Sequence, residues 1–335
     1  MQRVGVAILG LGTIGTAVAR ALQEQHDLIA ERTGLQLVLR AVFERTPERA
    51  ARANLDPDII ATDLATILSE DGLDVVVEVL GREQPAADFM VRCLNDGFHV
   101  VTANKEALSK HFAEILDAAR NAERAILFEA SVGGGIPLLV SYRQILATNR
   151  VTRVRGIVNG TTNYILSQMA SGGTAYADAL VEAQRLGYAE PDPTGDVEGF
   201  DAAYKLAILA SLMSGRHIKP DQIQRTGISG VTSRDIDDAR KRGGVIKLIA
   251  KAELSDHGDL VLSVAPEFVP NDELLAHVRG NHNAIEIVGD RVGPVVLSGQ
   301  GAGPLPTASA ILSDIVEAVR TGAAANPAFP VASPR

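Results

Sequence analysis

Tryptophan is absent from this 335-residue chain, cysteine occurs once, and aromatic residues make up only 4% of it. A core without large rings has to be filled by Ala, Val, Ile and Leu. A single cysteine, Cys93, excludes a disulfide framework within the chain and argues against a cysteine-based metal site. It lies in a stretch, Phe89 to Leu94, that reads as helix, where a thiol is a buried, inert filler. Basic excess is missing too. A net charge of −9 leaves no surplus of cations to neutralise phosphates, so no nucleic-acid partner is expected. No stretch approaches about 18 uninterrupted apolar residues, so no membrane span is expected. No charged leader and cleavage site precede the first strand, which makes the cytoplasm the expected compartment.

The residues that are present suit a folded soluble protein, with 46% hydrophobic and 22% charged. The length accommodates about two domains at roughly 100–200 residues each. From residue 4 to about 130, short apolar runs alternate with amphipathic stretches. The strand-like runs are Val4–Leu9, Leu37–Phe43, Asp74–Leu80, Phe98–Thr102 and Ala125–Glu129. Helices are expected near Ile14–Glu24, Pro47–Ala53, Asp63–Ser69, Pro85–Asn95 and Lys105–Arg120. Nearly continuous apolar strands separated by helices mark a parallel sheet covered on both faces, the α/β, doubly wound, Rossmann-type arrangement.

After Gly133-Gly134-Gly135-Ile136-Pro137 the pattern changes. A strand at Val151–Val158, helices from about Asn163 and Tyr176, and a long helix near Asp201–Ser214 precede strands at Leu260–Val264, Ala284–Val288 and Val295–Gly299. This reads as a second, α+β domain. A helix at Thr307–Arg320 is expected to return to the first domain. The expected division is 1–135 for nucleotide binding, 151–285 for the substrate, 306–322 for the returning helix and 323–335 for a loose tail.

Gly10-Leu11-Gly12-Thr13-Ile14-Gly15 matches G-x-G-x-x-G directly after a strand and at the start of a helix. In that context the glycines permit a tight turn, close approach of a pyrophosphate and close helix–strand packing, with the helix N-terminus facing the phosphates. A glycine-rich turn of an unrelated α/β fold is the bland alternative. At the end of the second strand, Glu44 suits the ribose 2′-hydroxyl of NAD and Arg45 the 2′-phosphate of NADP. Arg45 tilts the expectation slightly towards NADP, and Glu44 keeps NAD open.

The segment Gly187–Lys205 packs five acidic residues, two prolines and three glycines into nineteen positions before an apolar helix. Asp201 and Lys205, four apart, share a helix face. Such a pair is commonly a surface salt bridge. At a partly buried helix start it becomes a place where burial and carboxylates tune a lysine. The seven histidines are scattered without partner spacing and read as structural or surface residues.

The segment from Ala183 to Lys205 resembles the signature of homoserine dehydrogenases. Further blocks match in order: Val101–Glu106, Glu129–Pro137, Gly156–Ile165, and Gly301-Ala302-Gly303 with Pro306-Thr307. The resemblance spans nearly the whole chain. It implies an NAD(P)-dependent interconversion of L-homoserine and L-aspartate 4-semialdehyde by hydride transfer, within threonine, methionine and isoleucine biosynthesis. It implies a nucleotide domain, a dimerisation segment (136–150 and about 285–305), a catalytic domain with an open sheet, and a homodimer.

By motif position, the resemblance makes Lys205 and Lys105 the proton-handling lysines and puts Asp201 near the reacting end of the substrate. Glu190 and Asp196 would hold the substrate's amino group, and Gly160, Thr161 and Tyr188 would line its site. Gly10, Gly12, Thr13, Ile14, Gly15, Glu44, Arg45, Lys105 and Gly303 would bind the cofactor. Glu129, with the carbonyls of Val132, Gly134 and Ile136, would bind sodium or potassium, because hard oxygen donors suit such ions. A glycine hinge between domains is the plainer reading of that block.

Rival readings are a related reductase of a small amino-acid-derived carbonyl and a non-catalytic dinucleotide-binding regulator. A semialdehyde-oxidising enzyme would need a thiol nucleophile, and Cys93 is poorly placed for one. Many members carry a C-terminal regulatory domain, and on this sequence feedback control by that route is not expected.

Overall fold

The computed structural model describes residues 1–255 and 257–327. In chain order it begins β1 (Gln2–Leu9), α1 (Thr13–Glu24), α2 (His26–Thr33), β2 (Leu35–Phe43), α3 (Pro47–Arg52), β3 (Ile60–Ala61) and α4 (Leu64–Leu68). There follow β4 (Val75–Glu78), α5 (Ala86–Asn95), β5 (His99–Thr102), α6 (Lys105–Lys110), α7 (Phe112–Asn121) and β6 (Ile126–Leu127). Next come α8 (Leu138–Thr148), β7 (Val151–Ile157), α9 (Gly160–Gly172), α10 (Tyr176–Arg185), α11 (Thr194–Val197) and α12 (Phe200–Ser214). The remainder is β8 (Gln224–Arg225), α13 (Ser233–Lys241), β9 (Gly244–Leu254), β10 (Leu260–Pro270), β11 (His282–Gly289), β12 (Gly293–Gln300) and α14 (Pro304–Thr321). Two compact units result, one of Met1–Gly135 with the segment from Gly303, the other of Ile136–Ala302.

In the first unit six parallel strands run in the order β3-β2-β1-β4-β5-β6. The order reverses beside β1, which opens a crevice at the carboxyl ends of β1 and β4. Val4, Val6 and Ile8 of β1 pack on one face with Val18, Ala19 and Leu22 of α1 and with Ala308, Ile311 and Ile315 of α14. Ala7 and Leu9, turned to the other face by the strand's alternation, are equally buried, which explains the unbroken apolar run. Pro304 at the head of α14 starts that helix three residues before the expected Thr307, since proline's missing N–H costs nothing in a first turn.

Three further readings of this unit change. The single helix expected over Lys105–Arg120 is broken at His111, whose ψ of 24° leaves the helical region. Its ring contacts Glu83 and Glu114, both at 3.1 Å. The strand expected to reach Glu129 ends at Leu127, and Glu129–Ser131 form a 3₁₀ turn. Residues 322–325 form another such turn, and the Asn326 side chain accepts from the Ile126 N–H at 2.7 Å, so the start of the expected loose tail is held in place. The rest of that tail, 328–335, lies outside the described residues.

The second unit is built on a mixed sheet in the order β12-β11-β7-β9-β10-β8. β9 and β10 pair antiparallel along their full length, Leu260 opposite Leu254 through Pro270 opposite Gly244. Residues 136–150 form α8 and its flanks, and 282–300 form two strands of this same sheet. β9 carries no expectation from sequence, although Ile246, Leu248, Ala250, Ala252 and Leu254 alternate with Lys247, Lys251 and Glu253.

Candidate active site

In the first unit the Gly10–Gly15 turn joins β1 to α1. Gly10 adopts φ +106°, open to glycine but strained for other residues, and its N–H donates to the Phe43 carbonyl at 2.9 Å. A Cβ on Gly15 would collide with the Gly10 carbonyl, so that glycine is needed by the protein's own packing. A Cβ on Gly12 would meet nothing within 4 Å, so only an incoming group could require a glycine there. No side chain caps α1, which leaves its first-turn N–H groups, including those of Thr13, Ile14 and Gly15, for an external acceptor. This turn fits a dinucleotide pyrophosphate. Gly303 (φ +120°) opens α14, which packs beside α1.

At the end of β2, Glu44 is buried and accepts from the Leu11 N–H and the Thr46 N–H, both at 2.8 Å. Burial pushes its pKa up, but those hydrogen bonds and the Arg49 charge outweigh it and hold the carboxyl below its ordinary range. Glu44 therefore already serves the glycine turn. Arg45 is exposed, its guanidinium 5.8 Å from the Phe43 ring centre.

Lys105 is the first residue of α6, half-buried. Its neighbour Asn104 caps that helix by accepting from the Ala107 N–H at 3.1 Å. The Asn104 amide donates to Glu78 at 3.2 Å and to the Arg82 carbonyl at 2.8 Å, and the Thr102 hydroxyl donates to Glu78 at 2.6 Å. Glu78 is fully buried, and desolvation raises its pKa despite these donors. Sequence reasoning missed it. An acidic residue closing the run Val75-Val76-Val77 was the available signal. Glu129 is buried, and its N–H donates to the buried Asp314 carboxylate of α14 at 2.8 Å. Gly133 and Gly134, both at positive φ, follow in the loop that includes Val132, and Ile136 begins the second unit.

In the second unit the acidic segment folds so that three predicted residues converge. Lys205, 8% exposed on α12, donates to Asp201 Oδ2 and to the Val158 carbonyl, both at 2.7 Å. This is no surface pair. Asn159 accepts from the Thr162 N–H at 2.9 Å through Oδ1, capping α9. Its Nδ2 donates to Asp196 at 2.7 Å and to Asp201 at 2.8 Å. Asn159 lies inside a motif block but was not singled out, because bridging two carboxylates is a relation between segments 37 and 42 residues apart. Burial, then the negative charge of Asp201, raise the Asp196 pKa, and the Asn159 hydrogen bond does not cancel them.

Thr161 donates to the Tyr188 carbonyl at 2.7 Å, and the Tyr188 ring lies 5.0 Å from that of Tyr164. Gly160 sits against the Asn281 carbonyl, 2.6 Å from where a Cβ would be. Glu190 stays exposed ahead of α11, its carbonyl accepting from the Gln184 side chain at 3.1 Å, and is not drawn into the hydrogen-bonded cluster among the described residues. The cluster thus holds two carboxylates against one ammonium. An ammonium has three donors, and two of those on Lys205 are engaged inside the protein. The third has no partner among the described residues and can meet a substrate oxygen, and the surplus carboxylate favours a cationic group nearby.

Cys93 is buried, and its thiol is pushed up to about 12, first by burial and then by Asp96, which removes it as a nucleophile. No described helix is long and apolar enough to cross a membrane.

The sequence matches the family models "Homoserine dehydrogenase" over residues 137–316 and "Homoserine dehydrogenase, NAD binding domain" over 10–129. It is 37% identical over 320 residues to homoserine dehydrogenase of Bacillus subtilis, covering 96% of this chain and 74% of that one. The fold is similar to that of a homoserine dehydrogenase from Thiobacillus denitrificans, with a TM-score of 0.91 at 38% identity, covering 96% of this chain and 74% of the other. A hyperthermophilic archaeal homoserine dehydrogenase solved in complex with NADPH aligns with a TM-score of 0.79 at 26% identity, over 95% of this chain and 98% of its own. With a dinucleotide-type turn in one unit and a lysine–carboxylate cluster in the other, the chain belongs to the homoserine dehydrogenase family.

Proposed function

We propose that this member of the family interconverts L-homoserine and L-aspartate 4-semialdehyde with NADP as its preferred dinucleotide, using Lys205 and Lys105 as proton-handling lysines. The observation that carries the reading is the Lys205–Asp201–Asn159–Asp196 cluster, with Lys205 and Asn159 buried and the two carboxylates half-buried, where one ammonium donor remains beside a surplus of carboxylate. When bound, the dinucleotide supplies the hydride acceptor or donor. The protein's part is then to hold and move a proton at the substrate oxygen and to orient the amino-acid end. Lys205 stabilises the negative charge that develops on that oxygen and transfers its proton. Asp201 and the Val158 carbonyl hold the ammonium in place. Asp196 and Glu190 take the substrate ammonium, and Gly160, Thr161 and Tyr188 shape its surroundings.

Gly10, Gly12, Thr13, Ile14 and Gly15 would cradle the pyrophosphate, with Gly303 and Lys105 completing the cofactor contacts. The exposed Arg45, rather than the engaged Glu44, supports the choice of NADP, and the archaeal relative solved with NADPH accords with it. Glu129, with the carbonyls of Val132, Gly134 and Ile136, would hold sodium or potassium. Among the described residues no group of three or more His, Cys, Asp or Glu converges, so a cation at this loop would lean on carbonyl oxygens, and the positive-φ glycines allow the backbone turn they need. We place the enzyme in the cytoplasm as a homodimer acting in threonine, methionine and isoleucine biosynthesis.

The test is spectrophotometric. Oxidation of NADPH and NADH is followed with L-aspartate 4-semialdehyde, and homoserine-dependent reduction is followed in the reverse direction. NADPH turnover exceeding NADH turnover supports the proposal. Absence of turnover with both dinucleotides, in folded protein that still binds them, defeats it.

A further inference from the structure

The second unit holds another buried lysine, which the chemistry proposed above does not use. Lys247 of β9 is 3% exposed. It lies past the point where β7 stops pairing with β9, at Gly156 opposite Ala250. Its ammonium donates to the Val278 carbonyl at 2.6 Å and to Asn163 Oδ1 at 2.8 Å, with the Ser167 hydroxyl at 3.5 Å. The Asn163 amide in turn donates to the same Val278 carbonyl at 3.2 Å and to the His282 carbonyl at 3.1 Å. All these partners are neutral. Glu267, opposite Lys247 on β10, pairs with Lys251 at 3.0 Å, and Arg279 adds repulsion. Burial first, then Arg279, push the Lys247 ammonium down to about 8.

A buried cation with neutral partners carries a desolvation cost that an apolar side chain would avoid. Its placement is what gives it a use. The 278–282 segment that it grips runs directly under Gly160, whose missing side chain lets the Asn281 carbonyl come close. Gly160 is the first residue of α9, and the residue before it is Asn159, which bridges Asp196 and Asp201. One turn further along α9, Asn163 is held by Lys247. A shift of α9 therefore moves the Asn159 bridge, and with it Asp201 and the ammonium of Lys205.

We propose that Lys247 is a positioning residue, an internal clamp tying the 278–282 segment to α9 and so setting where Asn159 holds the carboxylates of the reactive cluster. Its consequence for turnover rests on the functional reading above, while the clamp itself does not.

The test uses the full-length protein and three variants. Lys247→Met removes the ammonium, Asn163→Ala leaves the lysine but cuts its link to α9, and Lys247→Arg keeps a cation with donors. Hydrogen–deuterium exchange is measured for peptides covering 159–166 and 278–283, alongside kcat and KM for homoserine and the Kd of NADPH. In Lys247→Met and Asn163→Ala, exchange in those two peptides rises about tenfold or more, while peptides of the first unit are unchanged. The value of kcat/KM for homoserine falls roughly 10- to 100-fold, as expected when a catalytic cluster shifts by a fraction of an ångström to one ångström, and NADPH Kd moves less than about twofold. Lys247→Arg recovers part of the loss.

Unchanged exchange in both peptides would overturn the clamp. Raised exchange with unaltered kcat/KM would overturn its positioning role. If Lys247→Met does not fold, Asn163→Ala gives the same two readings. If the wild-type protein itself does not oxidise homoserine, the functional reading has failed, and the exchange measurement still decides the clamp.

Discussion

The two candidate sites are built from different parts of the polypeptide. In the first, the site is made of backbone: N–H groups at the head of α1, glycines without side chains, and a glutamate, Glu44, spent on orienting the turn. In the second, it is made of charged side chains drawn from distant segments, with Asn159, Asp196, Asp201 and Lys205 sharing hydrogen bonds. A backbone site is sensitive to added volume and binds before any chemistry occurs. A side-chain site is sensitive to charge and acts on the rate and on the hold of the substrate. Substitutions in the two units should therefore fail in different ways.

The largest separation is expected from Lys205→Ala. Turnover should fall about 10²- to 10⁴-fold, the usual worth of a positioned acid–base group, with NADPH affinity intact by fluorescence titration. Near-normal turnover in that folded variant would remove Lys205 from the mechanism.

Lys247 gives the next largest effect, read as stability. Its ammonium is pushed down from 10.5 to about 8, so between those values the unfolded chain binds more protons than the folded one. The folded state consequently gains as pH rises through that window and loses the gain as pH falls through about 8. By 1.36 kcal/mol per unit, the wild type should gain about 3 kcal/mol relative to Lys247→Met between roughly pH 7 and 10.5, measured by denaturant unfolding of both proteins. A constant gap would mean that the amine is solvated in both states.

Asp196 comes next. Its raised pKa means that it is protonated more readily than an ordinary aspartate. The KM for homoserine should climb as pH falls through that pKa. Asp196→Asn should raise KM about tenfold, in keeping with the loss of a charged hydrogen bond, and flatten this limb of the profile. A variant with the wild-type KM and pH profile would remove Asp196 from ammonium binding.

The smallest effect sharpens the picture of the glycine turn. Gly12→Ala should leave Tm unchanged, because its Cβ meets no protein atom within 4 Å, and should still weaken NADPH binding several-fold. Gly15→Ala should lower Tm, because its Cβ runs into the Gly10 carbonyl. Equal Tm losses in the two variants would show that Gly12 answers to packing and not to a ligand.

Much of the first unit was legible because its signals are local. Val4–Leu9, the glycine turn and the amphipathic α1 follow one another within about twenty residues, and a parallel sheet with short crossovers keeps such signals contiguous. The break at His111 was hidden, since it depends on Glu83, distant in sequence. In the second unit, the long strand β9 escaped notice although Ile246, Leu248, Ala250, Ala252 and Leu254 alternate with Lys247, Lys251 and Glu253; that alternation puts Lys247 on the polar face, yet it is buried. The reason Lys247 is tolerated there, a carbonyl and an amide waiting at 2.6 and 2.8 Å, belongs to segments 31 and 84 residues away.

The amino-acid sequence by itself determined the fold class, the dinucleotide turn and the family, because each is carried by residue types at fixed short spacings. Tertiary structure alone decided what the charged residues do. It buried the Asp201–Lys205 pair that helical spacing leaves as an ordinary surface bridge, engaged Glu44 with backbone donors, and joined Asp196 to Asp201 through Asn159. The physical reason is that burial and hydrogen-bond partnership are properties of the space around a side chain, and that space is filled by residues far along the chain.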